Sequence, residues 1–326
     1  MAINLTELIT TTLRNRDRGF VADNVTNHNG LLRTMEDTGS IKNAGGGRTL
    51  TEPLLYNELA TKFYDGFETF TIDTSQEVID AAEYDWKQLG GFSFISGKEK
   101  IMNREKWQAV SIAESRIDAL IAGLRNKTGL SIYSLGTGDG GKEFGGLRLL
   151  VADDPTAAGT VGGIDQVANP FWQNQANVGT AAITAATIQS PMNAMQLACT
   201  RGADQPNLII ADADYFTAYW ESLQENARFT SPKMADAGFR TLEFIGTPVV
   251  YDAQCATDLT NAGAGRMYFL NTKYLCFRKA PERWFTTEES RKVENADYDV
   301  VPNWTMGNMT TNARFLQGVI GSDGTT

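Results

Sequence analysis

Residues 48–97 form a long stretch in which apolar and polar residues alternate. The alternation is clearest over 49–51, 67–72 and 92–95, and polar, aromatic pieces lie between these runs at 62–66 and 83–87. A period of two predicts β-strands. Because a two-stranded ribbon of this length is not stable in water on its own, the sequence predicts a hairpin that projects from a folded body and needs a second surface to lie on.

The ribbon segment 54–87 is rich in aromatic residues and has little aliphatic material. Aromatic side chains with a polar tip or edge are enriched at protein interfaces, where they bury a large area at low entropic cost. We therefore expect the ribbon to contact a neighbouring subunit through Tyr56, Lys62, Phe63, Tyr64, Phe67, Tyr84, Trp86 and Lys87.

The segments on either side of the ribbon differ sharply in character. Residues 1–47 are rich in Asn, Thr, Arg and Gly, which predicts an extended arm with too little apolar material for a core of its own. Residues 105–127 carry apolar side chains at spacings of three and four, and this spacing predicts a long amphipathic helix that ends near Gly129. Ile117 and Leu120 lie on its apolar face and Arg116 on its polar face.

The remainder of the chain mixes helices and strands, so the fold class is α+β. A helix is predicted from Ser190 and Pro191, and a buried strand at 207–211 leads into a second helix capped by Asp212 or Asp214. Further strands are predicted at 242–251, 267–277 and 311–320.

Charge and cysteine content narrow the function classes. The 326-residue chain has 29 Lys and Arg residues against 39 Asp and Glu residues, a net charge of −10. Proteins that grip nucleic acid through its phosphates concentrate basic residues, so sequence-specific DNA binding is not expected. Cys199, Cys255 and Cys276 are odd in number and lack a CxxC spacing, which predicts no disulfide and no zinc site. Neither a signal peptide nor an apolar membrane span is recognisable.

No set of residues predicts an enzyme, a cofactor site or a metal site. The single histidine, His28, lies in the predicted arm, which argues against histidine-based catalysis. The Gly-rich run 136–141 lacks the Lys-Ser/Thr pair of a phosphate-binding loop. Asp212 and Asp214 form a DxD pair that could bind a metal in a transferase, but capping a helix is the favoured role. Four loop carboxylates could bind calcium, although solvated turns are the simpler interpretation: Asp139, Asp153, Asp154 and Asp165.

The order of arm, long hairpin, long helix, loops, strand-helix unit and closing strands resembles the major capsid proteins of tailed phages with the Hong Kong 97-like fold. Four local stretches carry the same resemblance: GGRTLTEPL at 46–54, YDGFET at 64–69, AAEYDWKQ at 81–88 and GTPVV at 246–250. By this resemblance the chain divides into an N-terminal arm (1–47), an extended E-loop (48–97), a peripheral domain (98–184) with a spine helix (105–127), an axial domain (185–275) and a return to the peripheral domain with a C-terminal strand (276–326).

The resemblance implies a structural subunit of the virion capsid, assembled in the host cytoplasm from hexamers and pentamers into an icosahedral shell around double-stranded DNA. It also implies scaffolding, portal and decoration proteins as partners, only non-specific proximity to the DNA, and no membrane. Some members of the family cross-link E-loop lysines to neighbouring subunits, for which Lys62 and Lys87 are the candidates. An encapsulin-like compartment, which encloses a cargo protein, is the alternative on the same fold.

Overall fold

The computed structural model describes residues 29–59, 61–67, 77–102, 112–179, 183–223, 241–255, 264–294 and 296–323. Most of the predicted arm, including His28, and the first residues of the predicted spine helix lie outside this part of the chain.

The end of the predicted arm belongs to the folded body. Helix α1 (Gly30–Asp37) begins after Asn29, whose side chain accepts a hydrogen bond from the Leu32 backbone N–H at 2.7 Å. Leu31 and Met35 are fully buried in the main core. Strand β1 (Ile41–Asn43) then pairs in parallel with a strand more than 200 residues later, β12 (Leu275–Lys279). An arm over all of 1–47 is therefore wrong, because the apolar face of α1 finds its partners within the same subunit.

The ribbon does not extend to residue 97 as the sequence predicted, and residues 68–72 of the alternating run 67–72 lie outside the described part of the chain. Strands β2 (Thr49–Leu55) and β3 (Ile79–Asp85) pair antiparallel as a separate two-stranded ribbon. Strand β4 (Lys87–Ser96) was expected in the same hairpin, but it pairs along its whole length with β15 (Tyr298–Thr311). Residues 87–96 thus belong to a sheet of the body.

The first body sheet is organised around β15. Its 14 residues pair with β4 on one side and in succession with β12, β13 (Thr286–Thr287) and β14 (Arg291–Lys292) on the other. Helix α2 (Gly97–Met102) follows β4, and helix α3 (Ile112–Ser131) packs across β4 and β15. The glycine at 91 permits this close approach, since a side chain there would collide with Leu120.

Helix α3 departs from the prediction at two points. It continues to Ser131, so Gly129 lies inside the helix and does not end it. The glycine is needed for another reason, because the Asn29 and Gln254 side chains approach the backbone there too closely for a side chain. Arg116 does not lie on a simple wet face: its guanidinium donates to both oxygens of Glu99 at 3.0 and 3.2 Å. This hydrogen-bonded pair lowers the pKa of the Glu99 carboxyl.

The second body sheet has the strand order β7 (Gln175–Gly179), β16 (Gly318–Asp323), β11 (Ala264–Leu270), β8 (Leu208–Ala211), β10 (Thr247–Tyr251) and β9 (Thr241–Phe244). Helices α4 (Gln189–Ala198) and α5 (Ala213–Ser222) pack on one face, and the other face joins the main core. The C-terminal strand therefore lies inside the sheet of the predicted axial unit.

A continuous last strand over 311–320 is also wrong. The chain turns between β15 and β16 because Arg314 is fully buried there. Its guanidinium donates to the backbone carbonyls of Leu150 and Trp172 and to the side chains of Gln166 and Asn174, at 2.7–3.1 Å. The turn thereby ties the irregular residues 150–174 to the end of β15.

Candidate assembly surface

The base of the ribbon is anchored on its own subunit. Along β2 and β3 alternate residues face inward, and on this face Leu50, Leu54, Ala82 and Tyr84 are buried in the main core. The Glu83 backbone N–H donates to the Gly162 carbonyl at 2.9 Å, so the small hairpin of β5 (Thr160–Val161) and β6 (Ile164–Asp165) also holds the ribbon. The lower half of the ribbon is therefore fixed in direction.

A buried ion pair lies at the centre of this anchor. Arg278 of β12 donates from Nε and Nη2 to the two carboxylate oxygens of Glu52, at 2.6 and 2.9 Å. The Thr310 hydroxyl of β15 donates to the same carboxylate at 2.8 Å. The hydrogen bonds between Arg278 and the Glu52 carboxylate raise the pKa of Arg278. Two strands of the first body sheet thus bind one side chain of the ribbon.

Three of the predicted contact residues are engaged within the subunit. Tyr84 is buried and donates through its hydroxyl to the Thr311 carbonyl at 2.9 Å, and its burial raises the pKa of the phenol. Trp86 is half-buried and donates from Nε1 to the Gly47 carbonyl at 3.0 Å. The Lys87 ammonium donates to the Gly141 carbonyl at 2.6 Å. The structure places these side chains at the base of the ribbon, where they face the body.

The outer end of the ribbon is different. Tyr56 stacks on Phe171 at a ring distance of 5.2 Å, and the side chains of residues 57–59 and 61–67 are exposed. Phe63 and Phe67 are fully exposed, with relative accessibilities of 105% and 104%, and Lys62 and Tyr64 on either side of Phe63 are exposed as well. Exposed apolar clusters on soluble proteins mark interaction sites. We call residues 55–59, 61–67 and Ile79 together the ribbon tip.

The predicted contact residues did not include Leu55 and Ile79, two exposed apolar residues that pair with each other at the ribbon tip. Leu55 and Ile79 lie directly opposite each other in the ribbon and are 72% and 73% exposed. Pro53 and Ala81, the next pair on the same face, extend this apolar strip. Both residues lie in or beside the alternating stretch, but only the strand register shows that they share the outer face.

Two of the carboxylates considered for metal binding, Asp212 and Asp153, bond to other groups of the protein. Asp212 caps α5 by accepting from the Tyr215 backbone N–H at 2.8 Å, and its second oxygen accepts from the Arg266 backbone N–H at 2.9 Å. Asp153 pairs with the buried Arg266 side chain at 2.9 Å. In the described part of the chain no three His, Cys, Asp or Glu side chains come together as metal ligands, and none of its helices is long and apolar enough to cross a membrane.

Comparison with known proteins gives a uniform result at the level of the fold. No protein-family model matches the chain, and no curated protein is found as a relative. The capsid asymmetric unit of cyanophage A-1(L) matches with a TM-score of 0.68 and 15% identity, covering 96% of this chain and 98% of that one. The capsid of the native GTA particle matches with a TM-score of 0.61 and 10% identity, over 94% and 92% of the two chains.

An encapsulin complex, holo-SrpI from Synechococcus elongatus PCC 7942, also matches, with a TM-score of 0.60 and 9% identity over 100% of this chain and 98% of that one.

From the matches to the phage capsids, the chain has the fold of tailed-phage capsid subunits. This is the Hong Kong 97-like fold that the sequence resemblance implied.

Proposed function

We propose that this chain is the major capsid protein of a tailed phage, a non-enzymatic subunit that forms hexamers and pentamers of an icosahedral shell around double-stranded DNA. The observation that supports it best is the likeness to phage capsid subunits over nearly the whole length of both chains. The exposed ribbon tip supports it independently, because Leu55, Phe63, Phe67 and Ile79 leave large apolar side chains open to solvent.

In this proposal the base of the ribbon is fixed on its own subunit and the ribbon tip contacts a second subunit. The Glu52–Arg278 pair and the buried Tyr84 set the direction of its base, and the tip reaches an adjacent subunit. The contact residues are then Lys62, Phe63, Tyr64 and Phe67, joined by Leu55 and Ile79.

The first body sheet with α3 is assigned to the peripheral domain and the second body sheet to the axial domain. Scaffolding, portal and decoration proteins as partners, location in the virion and assembly in the host cytoplasm belong to the same proposal.

Electron microscopy of the purified protein tests the proposal directly. We expect closed shells or capsomer rings, formed alone or with a scaffolding partner. A protein that stays monomeric under all assembly conditions would contradict it.

A ribbon deletion separates folding from assembly. Replacement of residues 57–77 by a short Gly-Ser turn leaves Ala82 and Tyr84 in the core, so the melting temperature of the body should stay near that of the parent while shells disappear. The paired substitution Phe63→Ser with Phe67→Ser should also abolish shells. Ile101→Ser with Leu197→Ser removes two apolar side chains elsewhere that are 74% and 75% exposed, and this pair is the control. Equal loss of shells in both pairs would show that the ribbon tip is not the specific contact.

The encapsulin match supports a second candidate, a compartment that encloses a protein instead of DNA. The contents of particles purified from the native source distinguish the two. Particles of the proposed capsid contain double-stranded DNA of uniform length, whereas an encapsulin-like shell contains a co-purifying protein and no genome.

A further inference from the structure

The loop between β12 and β13, residues 280–285, carries a strained aromatic pair at the edge of the first body sheet. Its ends are fixed to β15, since the Ala280 N–H donates to the Met306 carbonyl at 3.0 Å and the Met306 N–H donates to the Arg283 carbonyl at 2.8 Å. Phe285 has a φ of +50°, in the left-handed region that bulky side chains avoid. Its ring meets that of Trp284 at 4.8 Å, edge to face.

Two cations lie over these rings, and a third lies over the neighbouring Trp304. The Arg125 guanidinium, from α3, lies 5.8 Å from the centre of the Phe285 ring, and the Lys279 ammonium lies 5.2 Å from that of Trp284. Arg283 lies 5.8 Å from the ring of the neighbouring Trp304. Arg125 and Arg283 are exposed and Lys279 is half-buried. We call Arg125, Lys279, Arg283, Trp284 and Phe285 the basic-aromatic edge.

The charge of the basic-aromatic edge is not neutralised within the subunit. Among the residues that the structure describes, none of its three cations has a carboxylate within ion-pair distance, whereas Lys127, two residues after Arg125, pairs with Asp139 at 3.4 Å. Glu282 is exposed in the same loop and forms no ion pair with them. Cation–π attraction to Phe285, Trp284 and Trp304 holds Arg125, Lys279 and Arg283 in place. The edge therefore presents positive charge in a chain whose net charge is −10.

We propose that the basic-aromatic edge binds the phosphate backbone of duplex DNA without regard to sequence. Guanidinium groups bind phosphate oxygens with paired hydrogen bonds. Duplex DNA carries about one negative charge per 1.7 Å of its axis, so the three cations of one edge can contact more than one phosphate. Trp284 and Phe285 are half-buried, pack against each other at 4.8 Å, and each already has a cation over its ring, which favours backbone contact over base stacking. This proposal rests on the proposed function, because the shell brings DNA within reach of the subunit.

The test is a binding titration with a fluorescent duplex of about 30 base pairs, in two unrelated sequences, from about 20 to 200 mM salt. Three phosphate contacts predict a slope of log K against log salt of about −2.7, equal for both sequences. The variant Arg125→Gln, Lys279→Gln, Arg283→Gln should lose at least tenfold in affinity at low salt, with a slope near zero. The control Lys98→Gln, Lys142→Gln, Lys292→Gln changes exposed lysines elsewhere and lowers the net charge by the same three units, from −10 to −13.

Retained affinity in the first variant, equal loss in both variants, or no binding by the parent protein would overturn the proposal. If the first variant instead loses self-association in sedimentation without DNA and keeps its DNA affinity, the partner of the edge is a second copy of the chain. Electron microscopy of the same samples separates this outcome from failure of the proposed function. Shells that form normally but bind no duplex reject the basic-aromatic edge alone, and a parent protein that builds no shell rejects the capsid assignment.

Discussion

The Glu52–Arg278 pair gives the most direct test of whether the base of the ribbon sets the ribbon's direction. Changing Arg278 to Met removes the charge that faces Glu52, and the carboxylate keeps only the Thr310 hydroxyl as a side-chain donor. The Glu52 side chain is 8% exposed, so water cannot replace the lost donor. Changing Glu52 to Leu is less severe, since the Arg278 side chain is 27% exposed and can be hydrated.

The magnitudes follow from this difference in exposure. Leaving a buried carboxylate without its partner costs about 3–5 kcal/mol, so we expect this loss in the free energy of unfolding for Arg278→Met. Glu52→Leu should cost about 1–3 kcal/mol, the range for a lost charged hydrogen-bond partner. Replacement of both by apolar residues of similar volume is often close to neutral. The double variant should therefore be more stable than Arg278→Met alone, with a coupling energy of at least about 2 kcal/mol.

Urea unfolding of unassembled subunits at neutral pH measures these three values. The exposed pair Glu288 and Arg291, joined at 2.6 Å with Arg291 72% exposed, supplies the control cycle. Its coupling energy should stay below about 1 kcal/mol because solvent screens the charges. We also expect each single change at the ribbon base to reduce shell formation and the double change to restore part of it. Additive effects of Glu52→Leu and Arg278→Met within about 0.5 kcal/mol would refute the reasoning.

Two further predictions concern the second body sheet. Ile245, 64% exposed, has a φ of +49° in the turn between β9 and β10, so Ile245→Asn should raise the free energy of unfolding by about 0.5–1 kcal/mol; a loss on urea unfolding would contradict this. Burial raises the pKa of Asp212 to about 6, with a smaller contribution from the charge of Asp214. The folded chain therefore holds this proton more tightly than the unfolded chain, and stability should fall by up to about 2–3 kcal/mol as pH rises from 4 to 6. Asp212→Asn should flatten that dependence, and an unchanged pH profile of unfolding would show that another group titrates.

Local pattern predicted the parts of the ribbon and the helices that depend only on neighbours in sequence. The period of two found β2 and β4, and the spacing of three and four found α3. A polar side chain beside a helix start is an equally local signal, which is why Asp212 or Asp214 was predicted as a cap, and the structure shows that the cap is Asp212. Alternation could not show that β4 leaves the hairpin, because a strand has the same pattern whether it pairs with β3 or with β15.

The assembly surface was predicted in outline and refined by long-range contacts. Phe63 and Phe67 are exposed, as expected of contact residues, and their role in a subunit interface stays a prediction. Tyr84 belongs to the same aromatic segment, yet it faces inward and its hydroxyl donates to the Thr311 carbonyl. Because Thr311 is 227 positions away in sequence, no local pattern could predict this contact.

What the sequence determined by itself was the class of each segment: which stretches alternate, which repeat at helical spacing, and which have too little apolar material to fold alone. The tertiary structure decided which of these segments share a core. Leu31 and Met35 make α1 part of the body, and Arg314 turns the chain so that the last strand enters the second body sheet. Burial and hydrogen bonding depend on partners brought together from distant positions, and therefore only the folded chain separates the buried base of the ribbon from its exposed tip.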